Sequence, residues 1–196
     1  MKRLGFSVLA AICAATTFSF PVQAAGPLSL GLGGGYTMPV GDSKDALKNG
    51  FHLRGIAEGH LPMLPMGLRA ALGYQKLNLK DLAAASGYSN GQSQILSGLA
   101  GFTFSLISVG PVRPYITASL GAFHVKGEVD SSSTTLTKSQ TKFGVDGGLG
   151  VKLGLGPIKG FAEARVENVY TDQGWNPAIS NLKSARFIPI TFGFLF

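Results

Sequence analysis

Eight stretches of this chain alternate residue by residue between apolar side chains and small or polar ones, and each holds the alternation for about 11 to 15 residues. They fall at 28–38, 51–61, 67–77, 93–107, 112–125, 142–154, 158–170 and 186–196. A period of two is the signature of a β-strand with two unlike faces. Globular strands usually run only about 5–6 residues, whereas a tilted strand needs about 9–11 to cross a bilayer. At 186–196 one face reads Ile188, Ile190, Phe192, Phe194, Phe196, and the other holds Pro189, Thr191 and Gly193. At 142–154 one face reads Phe143, Val145, Leu149, Val151, Leu153 and the other Gly144, Asp146, Gly148, Gly150, Lys152. Beyond residue 25 no apolar run reaches the length of a membrane helix.

The connections alternate in length. Those at 62–66, 108–111 and 156–157 are short and carry proline or glycine, and the other four are long and polar. Short turns at one end, long loops at the other and an even strand number predict an all-β fold, an eight-stranded antiparallel up-and-down transmembrane β-barrel. Aromatic residues support the same reading. Tyr36, Phe51, Tyr74, Phe143 and Tyr170 stand at the long-loop ends, and Phe104, Phe194 and Phe196 at the short-turn ends, all with outward parity. Two such belts suit the two membrane interfaces.

Charged residues are only 14% of the chain and glycines number 28, against roughly 25% charge and 7% glycine in soluble proteins. The charges gather on the inward parity: His52, Arg54, Glu58, His60, Arg69, Asp146, Lys152, Lys159, Glu163, Arg165 and Glu167. An eight-stranded lumen is just wide enough for side chains to fill it, so this set is expected to form a paired charge network. Inward glycines at 31, 33, 35, 73, 121, 144, 148, 150 and 193 are expected to make room for the long arginine, glutamate and histidine side chains. Glu58 and His60 share a strand face and could form a base–acid pair, but a hydrogen-bonded lumen network is the simpler reading. His52 and His60 lie about 25 Å apart along one extended strand, too far to share a metal ion. Gly33-Gly34-Gly35 lacks the lysine and helix of a phosphate loop. No catalytic residue, cofactor or metal site is expected. Trp175, in the last long loop, is expected to pack within that loop, with a receptor or lipid contact as the alternative.

The first 24 residues read as a signal peptide: Lys2 and Arg3, an apolar run from Leu4 to Phe20, and a small-residue site ending at Ala24. The barrel domain then spans 25–196. Cleavage would remove Cys13, the one cysteine, and lower the net charge from +7 to +5. Disulfides, thiolate metal sites and cysteine nucleophiles are thereby excluded. Export and the scatter of the cations argue against nucleic acid as a partner. Lys48, Lys76, Lys126, Lys142 and Arg186 fall near the long-loop rim. They are either ordinary solvated flanks or contacts to the phosphates of lipopolysaccharide.

The ending Ile190-Thr191-Phe192-Gly193-Phe194-Leu195-Phe196 and the opening Gly33-Gly34-Gly35-Tyr36 with Pro39-Val40-Gly41-Asp42 resemble the outer-membrane β-barrel domain family. The small barrels of that family include the OmpA transmembrane domain, OmpX and the opacity proteins. The resemblance implies residence in the bacterial outer membrane, in contact with its lipid and lipopolysaccharide. It implies insertion by the barrel assembly machinery, which would read Phe192, Phe194 and Phe196, and four long loops outside, able to meet an extracellular ligand. Three functions fit: a structural or surface-interaction barrel, a narrow pore for small solutes, or an enzyme acting on lipid A. For the last, His124 at the outer rim has no serine beside it in sequence.

Overall fold

The computed structural model describes residues 28–61, 64–80, 88–107, 109–131, 134–155, 158–170 and 184–196. The expected signal segment, Trp175 and most of the last long loop lie outside the described residues. The strands are β1 (Leu28–Val40), β2 (Gly50–His60), β3 (Met66–Asn78), β4 (Tyr88–Ser105), β5 (Val112–Ser131), β6 (Thr134–Leu155), β7 (Ile158–Tyr170) and β8 (Ser184–Leu195). Each pairs antiparallel with the next, and β8 returns to β1, closing the barrel. Closure removes the edges that a flat sheet would leave open. The seam is held to its end: Phe196 and Leu30 exchange both backbone hydrogen bonds, at 2.7 and 3.1 Å.

Parity follows the alternation of the sequence. Leu72 is 71% exposed, Leu149 67% and Phe192 63%, while Glu167, Arg165 and Thr191 on the opposite face are buried. Such a wide apolar exterior is out of place in water and fits lipid. Belt aromatics meet across strands. Tyr36 pairs in register with Phe51, and Phe143 stacks on Tyr170 with ring centroids 6.4 Å apart. Among the described residues no helix is long and apolar enough to cross a membrane, and the crossing is made by strands.

Most strand bounds shift by one or two residues from those expected, and three strands extend by five or more at their long-loop ends. β4 starts at Tyr88, β5 runs on to Ser131 and β6 begins at Thr134. Asp130, Ser131, Thr134 and Thr135, expected in a long polar loop, are instead strand residues of a paired ribbon, Asp130 facing Thr135 and Ser131 facing Thr134. Polarity does not prevent strand pairing where the ribbon stands in water, and threonine favours it. The first long connection holds a short helix, α1 (Ser43–Ala46), entered through Gly41 at φ +62°, a value that suits glycine.

Candidate functional site: the lumen and its two rims

The middle of the lumen is a charge network spanning five strands. Glu163 on β7 is its most heavily used acceptor. Arg69 on β3 donates to it with two nitrogens, at 2.6 and 3.2 Å. The Tyr115 hydroxyl on β5 donates at 2.7 Å and Arg165 at 3.1 Å. Arg54 on β2 donates to Glu167, which also accepts from Gln75 at 2.5 Å. Asp146 on β6 forms ion pairs with Arg165 and with Arg54, the latter at 3.6 Å. Nearer the short-turn end, Lys152 donates to Glu58 and lies 4.8 Å from the centre of the Tyr115 ring. Three arginines thus face Asp146, Glu163 and Glu167, and Lys152 faces Glu58, so charge balances locally. A fork of two parallel bonds to a carboxylate is the strongest form of such a pair, and mutual neutralisation offsets the cost of burial.

His52 belongs to a different arrangement. Its Nδ1 lies 2.9 Å from the Thr37 hydroxyl and its Nε2 2.9 Å from that of Thr191. It therefore bridges β1 and β8 beside the seam. His60, although of inward parity, stands at the mouth with its side chain 49% exposed, 3.5 Å from Glu58. Lys159 is half-buried at the same mouth.

The lumen also holds apolar side chains that the sequence reading passes over. Leu77, Ile95, Phe123, Val125, Val169 and Phe187 are buried at the long-loop end with Leu47. On β3 and β7 they stand one inward position beyond the network, Leu77 past Gln75 and Val169 past Glu167. Phe161 and Leu195 lie toward the other end. This alters the role expected of the glycines. A Cβ on Gly144 would come 2.6 Å from the Phe123 ring, and one on Gly150 2.5 Å from the Tyr115 ring. One on Gly33 would come 2.9 Å from the ring of Phe161. These glycines mainly seat aromatic rings. Among the network charges, Gly148 against Arg165 is the clearest case of room made for a long charged side chain. The signal is present in the sequence: residues 115, 123 and 161 are aromatics of the parity opposite to the belts.

The rim cations divide. Phe51, Lys76, Gln94 and Lys126 follow one another in register across β2 to β5 on the outward face. Arg186 is exposed with outward parity on β8, and Lys48 is exposed beyond α1. Lys142 departs from this set. It shares the parity of Asp146 and Lys152 and lies opposite Phe123, because β6 continues past it without a change of face. It therefore belongs to the lumen side, not to the outer surface. His124, outward on β5, lies 2.9 Å from the Thr141 hydroxyl.

Residues 10–176 match the family model described as outer membrane protein beta-barrel domain. The chain belongs to this family. Structural comparison agrees in fold. Neisserial surface protein A is 18% identical at a TM-score of 0.61, over 87% of this chain and 96% of that one. A major outer membrane protein of Thermus thermophilus is 16% identical at 0.60, over 87% and 99%. Ail, the attachment invasion locus protein of Yersinia pestis, is 17% identical at 0.52, over 86% and 96%. No curated protein matches. As a member of the outer-membrane β-barrel domain family, the protein is an integral barrel of the bacterial outer membrane, and its short turns face the periplasm.

Proposed function

We propose that this barrel is a closed, non-conducting membrane body whose work is done at its outer end, through contacts of its rim and loops with lipopolysaccharide and an extracellular ligand. The observation that carries the reading is the order of layers in the lumen. A charge network fills the middle, and an apolar layer of Leu47, Leu77, Ile95, Phe123, Val125, Val169 and Phe187 lies over it at the extracellular end. A water or ion path would have to cross both. Apolar constrictions exclude water, and paired charges hold each other in place.

The outward row Phe51, Lys76, Gln94, Lys126 supports the lipopolysaccharide contact. Lys76 and Lys126 are separated by one strand, so their backbones are about 9.6 Å apart at the usual strand spacing. Phe51 marks the level of the membrane interface, where anionic phosphates of the outer leaflet would meet both ammonium groups.

Planar-bilayer recording tests the first part: steady channels from the purified barrel would overturn the closed-lumen reading. Lipopolysaccharide binding to the triple variant Lys76→Gln, Lys126→Gln, Arg186→Gln tests the second. Weakened binding is expected, and unchanged binding would remove the rim from the account.

A further inference from the structure

We propose that the periplasmic mouth of the lumen is a binding site for a phosphate group, held by Arg113, Lys159 and His60. The starting point is the distribution of charge. Among the described residues each inward carboxylate of the network is already engaged: Glu58 by Lys152 and His60, Asp146 by Arg54 and Arg165, Glu163 by Arg69 and Arg165, and Glu167 by Arg54. The deep network therefore has no negative charge to spare. At the periplasmic end two further cations share the inward parity, Arg113 on β5 and Lys159 on β7. Among the described residues neither has a carboxylate within ion-pair distance.

Both stand around one cavity. It has a volume of about 190 Å³ and is lined by Ser29, His60, Arg113, Lys152 and Lys159, with Leu61, Leu64 and Leu195 among its apolar walls. A single buried water needs only about 10–15 Å³ by the same kind of measure, so a small organic anion fits. Arg113, Lys152 and Lys159 share this lining with His60, and the nearby Glu58 carboxylate, 3.5 Å from His60, is taken up by Lys152. Like charges gathered at a mouth repel one another, and an anion seated among them relieves the repulsion.

The chemistry of the groups selects the anion. The Arg113 Nε is engaged, donating to the Gly110 carbonyl at 3.1 Å. That bond orients the guanidinium and leaves its terminal nitrogens as a two-pronged donor. A guanidinium fork, an ammonium and an imidazole together match three oxygens carrying up to two charges. A carboxylate has two oxygens and one charge, and would leave one cation uncompensated. The apolar walls suit a short carbon skeleton attached to the phosphate. Such a group reaches the mouth either as a free periplasmic phosphomonoester or as phosphatidic acid of the inner leaflet, whose headgroup is itself a phosphomonoester.

The test uses the refolded barrel in neutral maltoside micelles, which contain no phosphate. One arm titrates glycerol 3-phosphate and follows binding by calorimetry. The other dopes the micelles with phosphatidic acid and follows the phosphorus resonance. Saturable binding in the first arm, at least tenfold weaker in the double variant Arg113→Gln, Lys159→Gln, supports the site with a soluble ligand. Binding confined to the second arm, and lost in the same variant, supports the site with a lipid headgroup. Absence of saturable binding in both arms, or equal binding by the variant, overturns the proposal. The heat-dependent shift of the folded band on a gel reports folding. Should the double variant fail that check, Lys159→Gln alone carries the comparison, with the same outcomes deciding.

Discussion

At the scale of single residues, Glu163 and Gly144 carry the sharpest consequences. Glu163 accepts from Arg69, Arg165 and Tyr115, so removing it strands the Arg69 guanidinium inside the barrel and leaves Arg165 with Asp146 alone. Breaking a buried pair from one side costs about 3–5 kcal/mol. Glu163→Ala should destabilise the folded barrel by that amount, read as a lower urea midpoint for unfolding from lipid vesicles. Tyr115→Phe removes only one bond to a charged acceptor and should cost about 1.5–3 kcal/mol. Equal stability of Glu163→Ala and wild type would show that the network contributes nothing. Gly144 makes a steric prediction. A methyl group there meets both the Phe123 ring and the Asn168 carbonyl, at 2.6 and 2.8 Å, and overpacking of this kind costs about 1–3 kcal/mol. At Gly55 an added Cβ meets nothing within 4 Å. Gly144→Ala should therefore lower the urea midpoint, and Gly55→Ala should leave it unchanged.

At the scale of elements, the seam strand β8 and the β5–β6 ribbon behave differently. Phe196 closes the barrel through two backbone bonds to Leu30 and turns its ring outward to lipid. Deleting it removes both bonds and the end of the outward apolar row, and should lower the yield of heat-modifiable barrel in the outer membrane. Normal yield would detach the C-terminal phenylalanine from assembly. The ribbon pairs from Gly127 with Lys138 to Ser131 with Thr134, well past the belt residue Phe143. Replacing 128–137 with a two-residue turn should leave the barrel folded, because the core contacts lie below it. The same contrast explains what could be read from the sequence. Strands inside lipid are legible because one face must be apolar throughout, which leaves an unbroken period of two. The ribbon is polar, so the run from Ser131 to Thr135 looks like a loop, and its pairing shows only in three dimensions. Parity names the face of Arg54 or Glu167 but not the partner. That pairing is made across the lumen between β2 and β7, and no local spacing encodes it. Lys142 shows the converse error: its nearness to a long loop suggests the outer rim, while its parity already puts it inside.

For the whole molecule, the inversion of polarity makes a prediction graded with depth. Leu72 sits near the middle of β3, in register with Gly55 on one side and Gly98 on the other, and its side chain is among the most exposed in the protein. In a water-soluble barrel, arginine at such a position would be harmless. In lipid, arginine at the bilayer midplane of a barrel costs about 2–4 kcal/mol, and near an interface about 0–1. Leu28 is also exposed and outward but opens β1 at the periplasmic end, opposite Gly59. Leu72→Arg should therefore cost several times more than Leu28→Arg when both are unfolded by urea from lipid vesicles. Neither substitution touches the lumen, so a difference between them reports lipid depth and not packing. Equal and small costs at both positions would mean that the apolar girdle of leucines does not lie in hydrocarbon. The low charge content and the long strands would then need another cause.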